Sequence, residues 1–342
     1  MITLPALPAA PAAHDDMRVF VPLASQHLAA FDWQHGDDLW SIPLAVTSAP
    51  VPANGVVYVA AGSTIHALDA ATGAVRWMSP AAAPAQLVRL AGERVVAIGT
   101  RGIQAFDAAS GAAQWSRPLD DAGDPVGAVT TTDSLLATFA KGAVLRVALD
   151  DGRVMWTHSI GSRPSPPLAV KDSVYVGGTD NRFYALDAKD GKVRWSWRTG
   201  GDIVGAAADT KAVYYSSLDA VVRAVNPGNG HQRWKRDGGT RAVATPLILD
   251  GSVLVAGLSP ALSGFNPLTG VPQGTFDLPG DAQIHGTPLV AGVLVPRTVS
   301  VAVVLKDGRA FGLRSLSLMF NESAPQPLLA LPGKPLTRER LP

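Results

Sequence analysis

An all-β fold made of repeated four-stranded sheets is what this 342-residue sequence predicts, and three observations predict it. An eleven-residue string returns nearly unchanged as ALDAATGAVRW (Ala67 to Trp77), AFDAASGAAQW (Ala105 to Trp115) and ALDAKDGKVRW (Ala185 to Trp195). Its copies end at Trp40, Trp77, Trp115, Trp156, Trp195 and Trp234, in steps of 37, 38, 41, 39 and 39 residues. A glycine stands four residues before each ring, at Gly36, Gly73, Gly111, Gly152, Gly191 and Gly230, and a seventh copy, GFNPLTGVPQG, keeps Gly270 but has Gly274 in place of the ring. Between copies the chain reads as short β-branched and aromatic runs broken by turn residues, with no amphipathic helix. Four short antiparallel strands in every 40 or so residues are the pattern of a β-propeller blade.

The fifth unit shows the elements in order: SPPLAV, SVYVGGT, RFYALDA and KVRWSWR. Asp180-Asn181 in this unit, and Asp307-Gly308 near the C-terminus, suit two-residue hairpin turns. Inside the string, Asp69, Asp107 and Asp187, with Asn226 and Asn266 in later copies, can accept backbone N–H groups of the turn. The glycine supplies the positive φ that closes the corner. The tryptophan follows on the outer strand and buries its ring against a neighbouring blade, while a small residue at the first position of the string (Ala30, Ala67, Ala105, Ala185, Ala224) makes room for it. Burying about 200 Å² of aromatic surface at about 25 cal/mol/Å² sets an upper figure of roughly 5 kcal/mol per ring. The fourth copy, RVALDDGRVMW, departs by Arg146 for alanine and Ala148 for aspartate, so its turn is expected to be less well capped.

Residues 284 to 318 supply an inner strand (GTPLVAGVLV) and a hairpin (VSVAVVLKDGRAFGLRS) without the glycine corner or the ring. At the other end, Ile2 to Leu4 reads as an outer strand and Pro11 to His14 as the next inner strand. The expectation is therefore an eight-bladed β-propeller of four-stranded antiparallel blades, its ring closed by the N-terminal strand in the last blade. A competing arrangement gives Gln326 to Gly333 to the first blade as its inner strand. In the preferred arrangement residues 1–320 form one domain, and residues 321–342 are a Pro-rich tail on the surface or disordered.

Composition excludes several classes. A net charge of +1 offers no field to recruit nucleic acid or an anionic bilayer surface, so no nucleic-acid partner is expected. No run of 18 apolar residues occurs, hence no transmembrane segment is expected. The absence of cysteine removes disulfides, thiolate metal sites and thiol nucleophiles together. The opening MITLPALPAAPAAHDD has neither a basic region nor a continuous apolar core and does not read as a signal peptide; the chain is cytoplasmic, or a leader precedes it. The seven histidines (His14, His27, His35, His66, His158, His231, His285) show no metal-ligand spacing. Asp120, Asp121 and Asp124 are too few for a calcium cage and read as a solvated loop. No catalytic, cofactor-binding or metal-binding residue is assigned.

The string A-x-D-x-x-T-G-x-x-x-W, carried in full by Ala67 to Trp77, resembles the tryptophan-docking motif of the pyrroloquinoline-quinone-type β-propellers, and the resemblance covers about 300 residues. That superfamily holds quinoprotein dehydrogenases, which need a quinone, a calcium and an aspartate, and a noncatalytic group that includes the lipoprotein subunit of the outer-membrane β-barrel assembly machinery. The compact length, short connections and lack of cysteine resemble the second group. What this implies is a scaffold without cofactor, periplasmic or outer-membrane-associated. Its partners would be proteins, an outer-membrane assembly complex or an extended peptide, and a lipid anchor could lie upstream of this chain. Recognition is then expected in the loops that lead into the inner strands, where repeat register places Arg163, Asp202, Arg241 and His285. Arg76, Arg194 and Arg233, just before their rings, are expected to shield outer edges from aggregation.

Overall fold

The computed structural model describes residues 2–249, 251–258, 261–277, 284, 289–291, 298–316, 330–331 and 334–335. Every regular element among them is a β-strand. Seven antiparallel four-stranded sheets follow one another over residues 13–43, 51–80, 87–118, 125–159, 168–198, 203–237 and 247–277. In each, strands add in chain order from an inner to an outer position. The second sheet is typical, with strands Val51–Ala53, Val56–Ala61, Thr64–Asp69 and Val75–Pro80. An eighth sheet contains Leu289–Ala291, Thr298–Val304 and Arg309–Leu316, and Ile2–Thr3 pairs with Arg309 and Ala310 of its third strand. The eighth sheet thus gains the N-terminal strand expected of it.

The inner strand of the first sheet is Ala13–His14, paired with Phe20 and Val19, so the competing use of Gln326 to Gly333 does not hold. Part of that segment joins the eighth sheet instead: Ala330 pairs with Arg314, and Lys334–Pro335 turns back onto Ala330–Leu331. The segment expected to be a surface or disordered tail therefore contributes two short strands.

Contacts divide the chain into two compact units, residues 9–203 and residues 1–8 with 204–342. Within each unit the core is a series of layers between consecutive sheets. Phe20, Leu28 and Ala30 of the first sheet pack on Val57, Val59 and Leu68 of the second. The third and fourth share Ile98, Ile103, Phe139 and Leu145. In the other unit, Tyr214 and Trp234 of the sixth sheet meet Val253, Val255 and Phe265 of the seventh, and Leu254 and Ala256 meet Val303 and Leu305 of the eighth. Such layers explain why central strands are buried on both faces, as Ser134 to Phe139 is at every position.

Register repeats as strictly as sequence. One rung crosses each of the first five sheets from inner to outer strand: Ala13–Phe20–Ala30–Trp40, Val51–Tyr58–Ala67–Trp77, Arg89–Val96–Ala105–Trp115, Val129–Leu136–Arg146–Trp156 and Leu168–Tyr175–Ala185–Trp195. The seventh runs Leu247–Leu254–Gly264–Gly274. A register shift follows the third member in the sheets ending at Trp40, Trp77, Trp115, Trp156, Trp195, Trp234 and Gly274. This bulge bends the outer strand and re-aims the residue after the turn.

Candidate functional site

The recurrent string builds a fastening between sheets. Trp40 Nε1 donates to Ala70 O at 3.1 Å, Trp77 to Ala108 O at 2.9 Å, Trp115 to Leu149 O at 2.8 Å, Trp156 to Ala188 O at 2.9 Å, and Trp234 to Pro267 O at 2.8 Å. Each acceptor belongs to the turn of the following sheet. The six-membered part of each ring lies over the glycine of that turn: a Cβ built on Gly111 falls 2.6 Å from Trp77 Cε3, and one on Gly191 falls 2.6 Å from Trp156 Cε3. Gly73, Gly152 and Gly270 receive Trp40, Trp115 and Trp234 in the same way. These glycines are doubly required, since each also holds a φ near +70°, 73° at both Gly111 and Gly191. Gly36 and Gly230 share the conformation at 80° and 70°. Trp195 Nε1 is buried with no hydrogen-bond partner among the described residues.

The turn carboxylates act locally. Asp69 Oδ1 accepts from Ala71 N and Thr72 N, both at 3.0 Å; Asp107 Oδ1 from Ser110 N at 2.8 Å; Asp187 Oδ1 from Lys189 N at 2.8 Å. Asn226 and Asn266 accept in the same way from Gly228 N and Leu268 N. The second carboxylate oxygens of Asp69 and Asp187 explain two of the arginines. Arg76 Nη2 reaches Asp69 Oδ2 at 2.7 Å and Gly55 O at 3.0 Å; Arg194 Nη2 reaches Asp187 Oδ2 at 2.7 Å. The bond from Arg76, then that from Thr72, hold the Asp69 carboxyl down at about 2. Sequence reasoning gave these arginines to edge protection; the spacing of seven residues between Asp69 and Arg76, repeated at Asp187 and Arg194, carried the signal of a pair.

The residues expected to form a binding funnel are placed as follows. Arg163 is exposed, and its backbone is tied to Thr179, whose N donates to Arg163 O at 3.0 Å. Asp202 is half-buried just before the inner strand Ile203–Ala208. Arg241 is exposed, its carbonyl accepting from Leu258 N at 2.9 Å. Arg163 and Asp202 belong to one unit and Arg241 to the other; His285 lies outside the described residues.

The remaining titratable groups are dispersed. Asp121 pairs with Lys141, whereas Asp124 Oδ1 accepts from Thr100 Oγ1 at 3.0 Å and Gln86 Nε2 at 3.1 Å. Burial pulls the pKa of His66 and of His158 down. No group of three His, Cys, Asp or Glu able to hold a metal occurs among the described residues. A cleft of about 230 Å³ opens on the third sheet beside Ala81, Ala85, Gly99, Arg101, Gln104 and Ser116, smaller than the roughly 300–1,000 Å³ of drug-sized ligand sites. No described helix is long and apolar enough to cross a membrane.

Known proteins with this geometry fall into several functional groups. BamB from Moraxella catarrhalis superposes with a TM-score of 0.71 at 17% identity, over 92% of this chain and 98% of that one. Quinohemoprotein alcohol dehydrogenase from Comamonas testosteroni gives 0.69 at 12% identity, over 89% of this chain and 71% of the enzyme. Sqt1 of Saccharomyces cerevisiae gives 0.79 at 7% identity, over 91% and 96%. No curated protein matches by sequence. These likenesses speak for the fold alone, and with eight sheets in chain order that fold is the expected eight-bladed β-propeller. Sequence evidence is more selective: the family model for the outer membrane protein assembly factor BamB matches residues 24–169 and 140–311, which include every complete copy of the string. With that span matched, and a tryptophan fastening repeated from Trp40 to Trp234, this chain belongs to the BamB family of quinoprotein-like β-propellers.

Proposed function

We propose that this protein is a noncatalytic interaction scaffold of the bacterial cell envelope, working in outer-membrane protein assembly. The observation that carries the reading is family membership over residues 24–311, where the matching model is itself described as an outer-membrane assembly factor. The chemistry of the repeat supports it. The aspartates and arginines that recur are bound to one another and to the turn backbone, as at Asp69 with Arg76 and Asp187 with Arg194, so they serve the turn that receives the ring of the preceding sheet. Placement in the periplasm, on the inner face of the outer membrane, follows from the same reading, as does a lipid anchor upstream of this chain. In each unit the partner contact in this reading is the loops that lead into inner strands, with Arg163 exposed in one unit and Arg241 in the other.

Photo-crosslinking from positions 163 and 241 in living cells tests it. The expected product joins this protein to an outer-membrane assembly component, and Arg163→Glu with Arg241→Glu, made without a crosslinker, lowers co-purification of that component. Crosslinks confined to cytoplasmic proteins would overturn the reading. A second reading, a quinone-dependent oxidoreductase, is favoured by the likeness to quinohemoprotein alcohol dehydrogenase. Dye reduction with alcohols or sugars after adding pyrroloquinoline quinone and calcium to the purified chain would select it over the scaffold.

A further inference from the structure

One charged side chain stands where the repeat elsewhere places an aliphatic one. The inner-strand member of the rung is Ala13 in the first sheet, Val51 in the second, Val129 in the fourth, Leu168 in the fifth and Leu247 in the seventh; in the third it is Arg89. The volume has a simple origin. The second member of the rung is aromatic in the first, second and fifth sheets (Phe20, Tyr58, Tyr175) but only Val96 here, so a long stem can fill the gap. The charge has no such origin, because leucine or methionine would fill the same space.

The fourth rung provides the control. It too lacks the aromatic residue, having Leu136, and it too carries an arginine, Arg146. That guanidinium comes with its counter-charge: Nη2 meets Asp133 Oδ1 and Oδ2, each at 3.1 Å, and Nε meets Ser134 Oγ at 2.8 Å. Arg89 is held only by neutral acceptors. Its Nε donates to Ala128 O, on the inner strand of the fourth sheet, at 2.8 Å, and Nη1 donates to Val88 O at 2.7 Å. Nη2 bonds to no described residue, and Arg89 forms no ion pair with one. The two carbonyls hold the guanidinium in place and leave Nη2 and one hydrogen of Nη1 without a partner among the described residues. Burial lowers the Arg89 pKa with no acidic neighbour acting against it. A part-buried charge lacking its counter-ion is costly, and a fixed planar fork is the geometry that receives a carboxylate through two parallel bonds.

We propose that Arg89 anchors a carboxylate-binding site between the inner strands of the third and fourth sheets. A carboxylate fits better than a phosphate, because one guanidinium among neutral carbonyls balances one negative charge, and a dianion would leave the surplus buried. The carboxylate is that of a small free acid or of a peptide chain end. The site is independent of the scaffold reading.

Thermal unfolding of the full chain in sodium acetate, against sodium chloride at the same ionic strength, tests the site. The expected result for the wild type is a saturable rise in midpoint of about 2–4 °C. Arg89→Met keeps the volume without the charge; its midpoint in chloride should equal or exceed that of the wild type, and acetate should not move it. A tripeptide acid and its C-terminal amide separate the two sources: a response to the acid alone assigns a chain end, and a response to acetate assigns a free small acid. An equal acetate response in both proteins, or none to any carboxylate in the wild type, overturns the proposal. Should Arg89→Met fail to fold, the Nε–Hε resonance of Arg89 in the ¹⁵N-arginine wild type gives the answer: a saturable shift with acetate or tripeptide acid supports the site, and an unmoved resonance overturns it.

Discussion

The second and fourth copies of the string reach one fastening by different residues. In the second, Ala108 O of the following turn accepts two donors, Trp77 Nε1 at 2.9 Å and Tyr58 Oη at 3.2 Å. In the fourth, Ala188 O also accepts two, Trp156 Nε1 at 2.9 Å and Arg146 Nη1 at 2.6 Å. Leu136 has replaced the tyrosine, and the arginine one strand further out supplies the missing donor. The same arginine binds Asp133 and Ser134, which anchors a sheet whose own turn lost its cap. Ala148 cannot accept a turn N–H as Asp69 does, yet the backbone closes anyway, Gly152 N to Ala148 O at 3.1 Å against 2.8 Å for Gly73 N to Asp69 O. What recurs is thus a set of bonds on one carbonyl, and the residue types are one way of making them.

Breaking what the two copies share should cost most. Trp156→Ala removes a ring that is only 8% exposed and is expected to cost about 3–5 kcal/mol, read by chemical denaturation. A loss below about 1 kcal/mol would remove the ring from any fastening role. Next comes the glycine under that ring. Gly191→Ala places a residue with a side chain at φ 73° and brings its Cβ to 2.6 Å from Trp156 Cε3, for an expected total of about 2–4 kcal/mol. Gly161 is a fair control, having the same φ of 73° and nothing within 4 Å of a built Cβ. Gly161→Ala should therefore lose only about 1–2 kcal/mol, and equal losses at both positions would mean that the close approach contributes nothing.

What the copies do not share gives a finer test. Arg146, with a side chain 15% exposed, should lose about 1.5–3 kcal/mol on change to alanine. Arg76, 46% exposed and paired with Asp69, should lose under about 1 kcal/mol. If Arg146 stands in for a tyrosine, Leu136→Tyr should recover part of the loss. The double variant, Leu136→Tyr with Arg146→Ala, would carry the rung of the second sheet on the fourth, and a coupling of about 0.5–3 kcal/mol is expected between the two changes. Strict additivity would show that the tyrosine and the arginine do unrelated jobs.

The strands, the turns and the eighth sheet's use of the N-terminus were legible because each is written in period and spacing, and the repeat supplied seven readings of one signal. The turn role of Asp69 was legible for the same reason. The partner of Arg146 was not: it depends on Leu136 lying opposite, and register across strands is invisible until the bulge after Arg146 is known. For that reason the fourth copy read as a defect. The C-terminal strands were missed because Ala330–Leu331 and Lys334–Pro335 are too short to show alternation. The candidate binding residues Arg163 and Arg241 were found by register alone, because a loop position specifies no ligand.

The smallest expected effect separates the early turns from the late ones. Asp69 has a carboxyl held near 2, below its ordinary 3.8, with the Arg76 bond as the leading cause. Asp107 and Asp187 are lowered as well, by Ser110 and Arg194 in first place. A group depressed in the folded state adds stability that is complete above its unfolded pKa and is lost as pH falls through the folded value. The window for Asp69 is therefore pH 4 down to about 2. Asn226 and Asn266 make the same turn bonds without titrating, so the late turns should be indifferent to that window. Asp69→Asn turns an early copy into a late one: it keeps an acceptor for Ala71 N and gives up the charge opposite Arg76. The thermal midpoint of the wild type should fall more steeply from pH 4 to pH 2 than that of the variant, with the two curves converging at the acid end. Parallel curves across that interval would mean that the Arg76 bond holds nothing down, and the turns of the second and sixth sheets would then be equivalent.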